Sequence, residues 1–193
     1  MTTPQRVPES PPPRERILVA AHALFYGEGI RATGVDKIIE RSSVSKVTFY
    51  RQYASKDDLV RAYLDYRHEK WMAWFRSSLK EASDAGASAL GALVTTLGNW
   101  FSQPNFRGCA FLNAAAELGS ADPEILATVR RHKQEMACVL ENLFAGGANM
   151  AGSALSLVVD GAIVHAQMGH SVDAVMEDLK AVLLSQKEMM RQH

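Results

Sequence analysis

The sequence predicts an all-α chain, and three features predict it. Apolar residues recur at helical spacing from about residue 14 to residue 190, and almost no segment alternates apolar with polar residues as a strand would. Between residues 30 and 64, short apolar-faced segments follow one another with turn and capping residues between them. Near the C-terminus, one segment is apolar nearly all round and the next carries an apolar stripe. The organisation expected is a disordered tail (1–13), an N-terminal three-helix unit containing a helix-turn-helix (14–58), and a larger helical domain (59–193), with about nine helices.

Five of the seven prolines fall in residues 1–13, which is the basis for the tail. The first helix, 14–26, has Ile17, Leu18, Ala21, Leu24 and Phe25 for its buried face. Val35, Ile38 and Ile39 give a short second helix one apolar face, and Ser42-Ser43 end it. Val44 is the apolar residue of the turn, and a third helix runs over 45–52 with Phe49 as its inward anchor. Ser55 caps a fourth helix, its hydroxyl placed to accept from the backbone N–H of Asp58. That helix extends to about residue 80, through Leu59, Tyr63, Tyr66, Trp71, Trp74 and Phe75, and Asp84-Ala85-Gly86 breaks it.

A fifth helix is expected over 88–102, a loop bracketed by Pro104 and Gly108, and a sixth helix over 109–118 ended by Gly119. Asp122-Pro123-Glu124 opens the seventh, with proline at the first helical position, where its missing N–H costs nothing. It runs to about residue 144 and stops at Gly146-Gly147. The eighth, 154–168, is apolar on every side except for Asp160, His165 and small polar residues, so it should be buried on every side. The ninth, 171–190, has a stripe at Val172, Val175, Met176, Leu179, Val182 and Leu183. A small helical domain cannot bury both surfaces alone, so a second copy pairing through these two helices is expected.

Two helices joined by a turn of three or four residues form the unit that sets its second helix in the DNA major groove. The outward residues of 45–52 suit that task. Ser45, Lys46, Thr48, Tyr50 and Arg51 supply donors, acceptors and positive charge, and Val47 offers a methyl face to thymine. Lys46 and Lys56 stand at helix starts beside this segment and are expected to reach phosphate. Thr33, before the second helix, either caps it or donates to a phosphate.

The segment Thr48-Phe49-Tyr50, the aromatic Tyr53, the helix start Ser55-Lys56-Asp57-Asp58-Leu59 and the upstream Tyr26-Gly27-Glu28-Gly29-Ile30 resemble the DNA-binding domain of the TetR family of transcriptional regulators. The resemblance covers roughly the first third of the chain. It departs at Val47, where the family often has a small residue, and at Arg51-Gln52, where an aromatic and a histidine are common. It implies a two-fold dimer through the last two helices, an operator of near-palindromic sequence, and release of DNA by a small, mainly apolar molecule held in the larger domain. The alternative is a DNA-binding regulator without an inducer, set by a partner protein or by abundance.

Composition narrows the remaining classes. The net charge is zero, but residues 1–80 carry 14 Lys/Arg against 9 Asp/Glu, and residues 81–193 carry 7 against 12. That asymmetry fits a chain of which only the first part meets phosphate. No run is long enough to span a membrane and the start lacks a signal-peptide stretch, so a cytoplasmic location is expected. Cys109 and Cys138 are too few for a metal cage and are expected to be small buried hydrophobes. No catalytic triad, phosphate-binding glycine loop or metal-ligand spacing occurs, so no enzymatic activity and no cofactor are expected.

In the larger domain, Cys109, Asn113 and Glu117 recur every four residues on an otherwise apolar helix. Their polar groups need partners: a structural hydrogen-bond network, water or a ligand. If a ligand pocket exists, Asn113 and Glu117 are its expected handles, with Trp74, Trp100, Phe111 and His165 on its walls. Arg107 and the run Arg130-Arg131-His132-Lys133 are the nearest basic partners for Glu117. His165 and His170, five apart, are not expected to share a helix face.

Overall fold

The structure, a computed structural model, describes residues 11–119, 122–145 and 150–191, with side chains described through residue 186. These contain nine helices and no strand among the described residues. The backbone divides into two compact units, one ending at Tyr63 and the other starting at Leu64. The boundary expected after Asp58 falls in the opening turn of the fourth helix.

The first unit is built from α1 (Pro13–Glu28), α2 (Val35–Ser42), α3 (Lys46–Gln52) and the start of α4 (Lys56–Asp84). Pro13 opens α1 at a position that tolerates proline, so the last residue of the expected 1–13 tail is helical. The rest of that tail, residues 1–10, lies outside the described residues. Ile17, Ala21, Leu24 and Phe25 of α1, Ile38 of α2, Phe49 of α3 and Leu59 of α4 are all buried, with α1 packed on both α2 and α3. Leu18, expected among the buried residues, is only half-buried.

α2 ends because Ser43 takes a left-handed conformation (φ 53°), with its N–H and that of Val44 bonding back to Glu40 and Ile39. Arg16 of α1 donates to the freed carbonyl oxygens of Ser42 (2.6 and 3.0 Å) and Ser43, placing positive charge at the C-terminal end of α2. α3 starts where Ser45 Oγ accepts from the Thr48 N–H (3.1 Å), and α4 where Ser55 Oγ accepts from the Asp58 N–H (3.0 Å).

The second unit contains the rest of α4 with α5 (Ala89–Phe101), α6 (Ala110–Leu118), α7 (Pro123–Phe144), α8 (Gly152–Gln167) and α9 (Val172–Arg191). Asp122 caps α7 by accepting from the Glu124 and Ile125 N–H groups. The expected stop at Gly146-Gly147 lies outside the described residues. α7 buries Ile125, Val129, His132, Met136, Leu140 and Phe144 along one stripe. α8 lies directly on it. A Cβ at Gly152 would stand 2.3 Å from the backbone oxygen of Ala137, so only glycine fits at this crossing. Lys133 of α7 and Asp160 of α8 close the same contact with a 2.5 Å ion pair.

Within one chain α8 is not buried all round: Leu157 is 75% exposed and Val164 41%, because α7 and α9 cover only part of its circumference. The expectation for Cys138 is corrected. Cys138 is exposed, since it sits two residues from Met136 and so on the outer face of α7; Cys109 is buried. His165 and His170 share no helix face, as expected, yet their ring centroids are 4.9 Å apart, because α8 ends between them and Gly169 (φ 92°) turns the chain back.

Candidate nucleic-acid interface

α3 is short, and its inward side is carried by Phe49 alone, which is fully buried. The other side chains are thereby turned outward. Ser45, Lys46, Val47, Tyr50 and Arg51 are exposed, Val47 at 71% and Tyr50 at 46%, while Thr48 and Lys56 are half-buried. An exposed valine with nothing to pack against is a poor choice for solvent and a good one for a thymine methyl. Thr48 Oγ1 is 2.8 Å from Ser45 Oγ, so the cap orders both hydroxyls at the start of the helix. Lys46 Nζ stands 3.7 Å from Asp36 Oδ1 in an exposed pair, which is too weak to hold it from a phosphate.

Two residues overlooked in the sequence position this helix. Arg14 donates to the Gln52 carbonyl at the end of α3 (2.8 Å) and lies 4.5 Å above the Tyr53 ring. Burial pushes the Tyr53 hydroxyl above its ordinary pKa, partly offset by Arg14. Arg16 secures the far end of α2, as described above. Their signal in the sequence was weak: two arginines on a helix read as ordinary surface charge. At the start of α4, hydrogen bonds from Arg61 and then Ser55 hold the Asp58 carboxyl below its usual range.

Thr33 belongs elsewhere. It is fully buried, and its hydroxyl donates to the Gly29 carbonyl (2.7 Å) with Leu24 O at 3.4 Å. The N-terminus of α2 has Gly34 at its cap with no side-chain bond, so Thr33 does not cap it. Its donor is spent inside the unit and is withdrawn from phosphate.

Of the residues expected at a ligand pocket, Trp74, Trp100 and Phe111 gather around one aromatic cluster, while Asn113 and His165 lie elsewhere. Trp74, half-buried, and Trp100, buried, both pack on Trp71 (ring centroids 6.0 and 5.4 Å). Phe111 stacks face to face on His132 at 3.6 Å, and His132 also meets Trp71 at 5.2 Å. The space among Arg67, Trp71, Trp100, Phe111 and His132 has no room for a water molecule. Asn113 sits at the surface end of α6, its amide donating to Arg107 O (3.0 Å) and accepting from Gln167 Nε2 (3.2 Å). Glu117 is half-buried further along α6. His165 is exposed and borders a different groove, between α8 and α9.

The centre of this aromatic cluster, His132, was counted in the sequence among basic residues. Burial holds its pKa far down from 6.5, to about 2, with Lys133, His68, Arg67 and Arg131 adding to the effect. The available signal was its place on the Ile125–Phe144 stripe of α7. His68, its partner on α4, gave none.

The fold and the outward face of α3 define a helix-turn-helix DNA-binding regulator. Residues 17–63 match the sequence family described as bacterial regulatory proteins, tetR family. Among solved structures, a TetR-family transcriptional regulator from Streptomyces coelicolor is similar over 93% of this chain and 95% of that one, with 30% identity and a TM-score of 0.73. The chain belongs to the TetR family of transcriptional regulators, which are DNA-binding proteins rather than enzymes. The transcriptional repressor ComR of Escherichia coli is 23% identical over 85% of this chain and 84% of its own. The transcriptional activator FasR of Mycolicibacterium smegmatis is 32% identical over 37% of this chain, a match spanning only 32% of that protein. Among the described residues, no helix is long and apolar enough to cross a membrane.

Proposed function

We propose that the protein is a cytoplasmic, homodimeric repressor whose two α3 helices read the halves of a near-palindromic operator. The observation that carries the reading is the uncovered apolar surface of α8 and α9. Leu157, Val164, Met168, Val182 and Leu184 are all exposed there, beside a groove of about 270 Å³ lined by Val158, Gly161, Ala162, Val175 and Leu179. Exposed apolar side chains concentrated on one helix pair mark an interaction surface. A second copy is the occupant that the reading unit needs. One seven-residue helix reaches one half-site, and two-fold symmetry supplies the other. Repression is taken from the ComR likeness, which spans most of both chains, whereas the FasR likeness spans a minority of each.

Ser45, Lys46, Val47, Thr48, Tyr50, Arg51 and Lys56 are proposed as the DNA-contacting set. Light scattering at micromolar concentration tests the dimer: the wild type runs at twice the chain mass, and Leu157→Glu, at an exposed position, gives a folded monomer with lost operator affinity. A wild-type monomer overturns the reading. Leu179 is a poorer probe because it is buried within the chain and its replacement by glutamate disrupts the fold itself.

The filled space around Trp71, Trp100, Phe111 and His132 favours control without a small-molecule effector held there. One observation favours the effector: Trp71 Nε1 and Thr96 Oγ1 are buried and have no hydrogen-bond partner among the described residues. Thr96 and Trp100 are one turn apart on α5, and Trp71 packs on Trp100, so both polar groups belong to the aromatic cluster. An effector of this reading is planar and mainly apolar with one or two acceptor atoms. Thermal shift against aromatic carbonyl compounds tests it. A shift lost in Thr96→Val supports the effector, and no shift across the series supports control by abundance or a partner protein.

A further inference from the structure

We propose that His165 and His170 form a two-imidazole binding site for a divalent transition metal at the C-terminal end of α8. The two rings come from a helix and from the turn that follows it. α8 ends at Gln167, Gly169 takes φ 92°, and the His170 N–H bonds back to the His165 carbonyl at 3.3 Å. That backbone bond holds the main chain of the second histidine beside the last turn of the helix, which brings the two side chains within reach of one another.

The separation fits a shared ion. A metal about 2.1 Å from each ring nitrogen, with the two nitrogens meeting at about 90–109°, places the ring centroids about 4.5–5.2 Å apart. The observed distance is 4.9 Å, with the rings inclined at 56°. Such an inclination is not that of a stacked pair. Both side chains are exposed, and neither ring has a hydrogen bond or ion pair among the described residues. The other close histidine pair, His68 and His132, has its Nδ1 atoms joined by a hydrogen bond inside the protein, whereas His165 and His170 are both exposed residues.

Imidazole ligands select Zn²⁺, Ni²⁺ and Cu²⁺ over Mg²⁺ and Ca²⁺. No third His, Cys, Asp or Glu joins the pair in a three-residue cluster among the described residues, so water fills the other coordination positions. Ligation requires both rings without a competing proton, so binding weakens as the pH falls. Both ligands come from one chain, and His165 also borders the α8–α9 groove at which the second copy is proposed to dock.

Substoichiometric Ni²⁺ added to the full chain, followed by ring ¹H–¹⁵N correlation spectra, tests the proposal. The expected result is early and joint paramagnetic broadening of His165 and His170, before His22, His68 or His132. Both His165→Ala and His170→Ala abolish early broadening of the remaining ring, and His170→Ala, outside the lining of the α8–α9 groove, leaves the melting temperature at the wild-type value. Calorimetry with Zn²⁺ loses one site per chain in either variant. Broadening of one ring that survives loss of the other, or first broadening elsewhere, overturns the proposal, as does the absence of any effect up to millimolar metal.

Discussion

The Nδ1 atoms of His68 and His132 lie 3.1 Å apart, and His68 Nε2 lies 3.3 Å from Glu135 Oε1. A carboxylate only accepts, so the hydrogen on this side belongs to His68 Nε2. When the second ring nitrogen of His68 carries no hydrogen, its Nδ1 accepts and His132 Nδ1–H is the donor. One tautomer of each ring satisfies all three groups, and the ring of His132 stays flat against Phe111.

Stability should fall with acidity because of His132. Its folded pKa, about 2, is far below the 6.5 of an unfolded chain, so between these values the unfolded state binds a proton that the folded state excludes. The contribution is complete above about pH 6.5 and is lost progressively below it, at up to about 1.4 kcal/mol per pH unit. Urea denaturation from pH 8 to pH 4.5 reads the slope. His132→Phe keeps the stack on Phe111 and should flatten the curve by about one proton, at the expense of a lower plateau because His68 loses its donor.

Lys46→Ala and Tyr50→Phe should each weaken operator binding. Lys46→Ala should also lower the slope of log affinity against log salt by about 0.9, the signature of one phosphate contact. Val47→Ala should leave that slope alone and relax the preference for thymine at one position, by about 1 kcal/mol or somewhat more. Binding titrations over a salt series, with a base-substituted operator set, separate the two effects. An unchanged slope in Lys46→Ala removes that lysine from the interface.

Thr33→Val should act on folding and not on DNA. The buried hydroxyl bonds the Gly29 carbonyl, so its loss should destabilise by about 1 kcal/mol, or up to about 3 if that carbonyl is left unsatisfied. The salt slope of the folded variant should equal that of the wild type. A lower slope returns Thr33 to the phosphate-contacting set.

Gly152→Ala and Gly161→Ala, both on α8, should have opposite outcomes. The first drives a Cβ into the Ala137 carbonyl and should destabilise by about 1–3 kcal/mol. The second meets nothing within 4 Å of its own chain and should gain about 0.5–1 kcal/mol of helix propensity. Melting temperatures at low concentration compare them. If Gly161→Ala lowers the melting point only at concentrations where the protein self-associates, the added methyl is meeting a second copy.

The sequence by itself determined the helices and the reading face. Local signals decide these: the hydroxyl of Ser45 for α3, that of Ser55 for α4, Asp122-Pro123 for α7, and the single inward Phe49 that leaves Val47 and Tyr50 outside. Each depends on residues within one or two turns, and each is visible in a short window of sequence. Tertiary structure alone decided the rest. The grip of Arg14 and Arg16 on neighbouring helices and the separation of His165 from the aromatic cluster depend on residues distant in the chain. Periodicity gives the direction of a side chain from its own helix axis but not which helix stands opposite. For that reason His132 resembled a surface cation in the sequence and is a buried neutral ring in the fold.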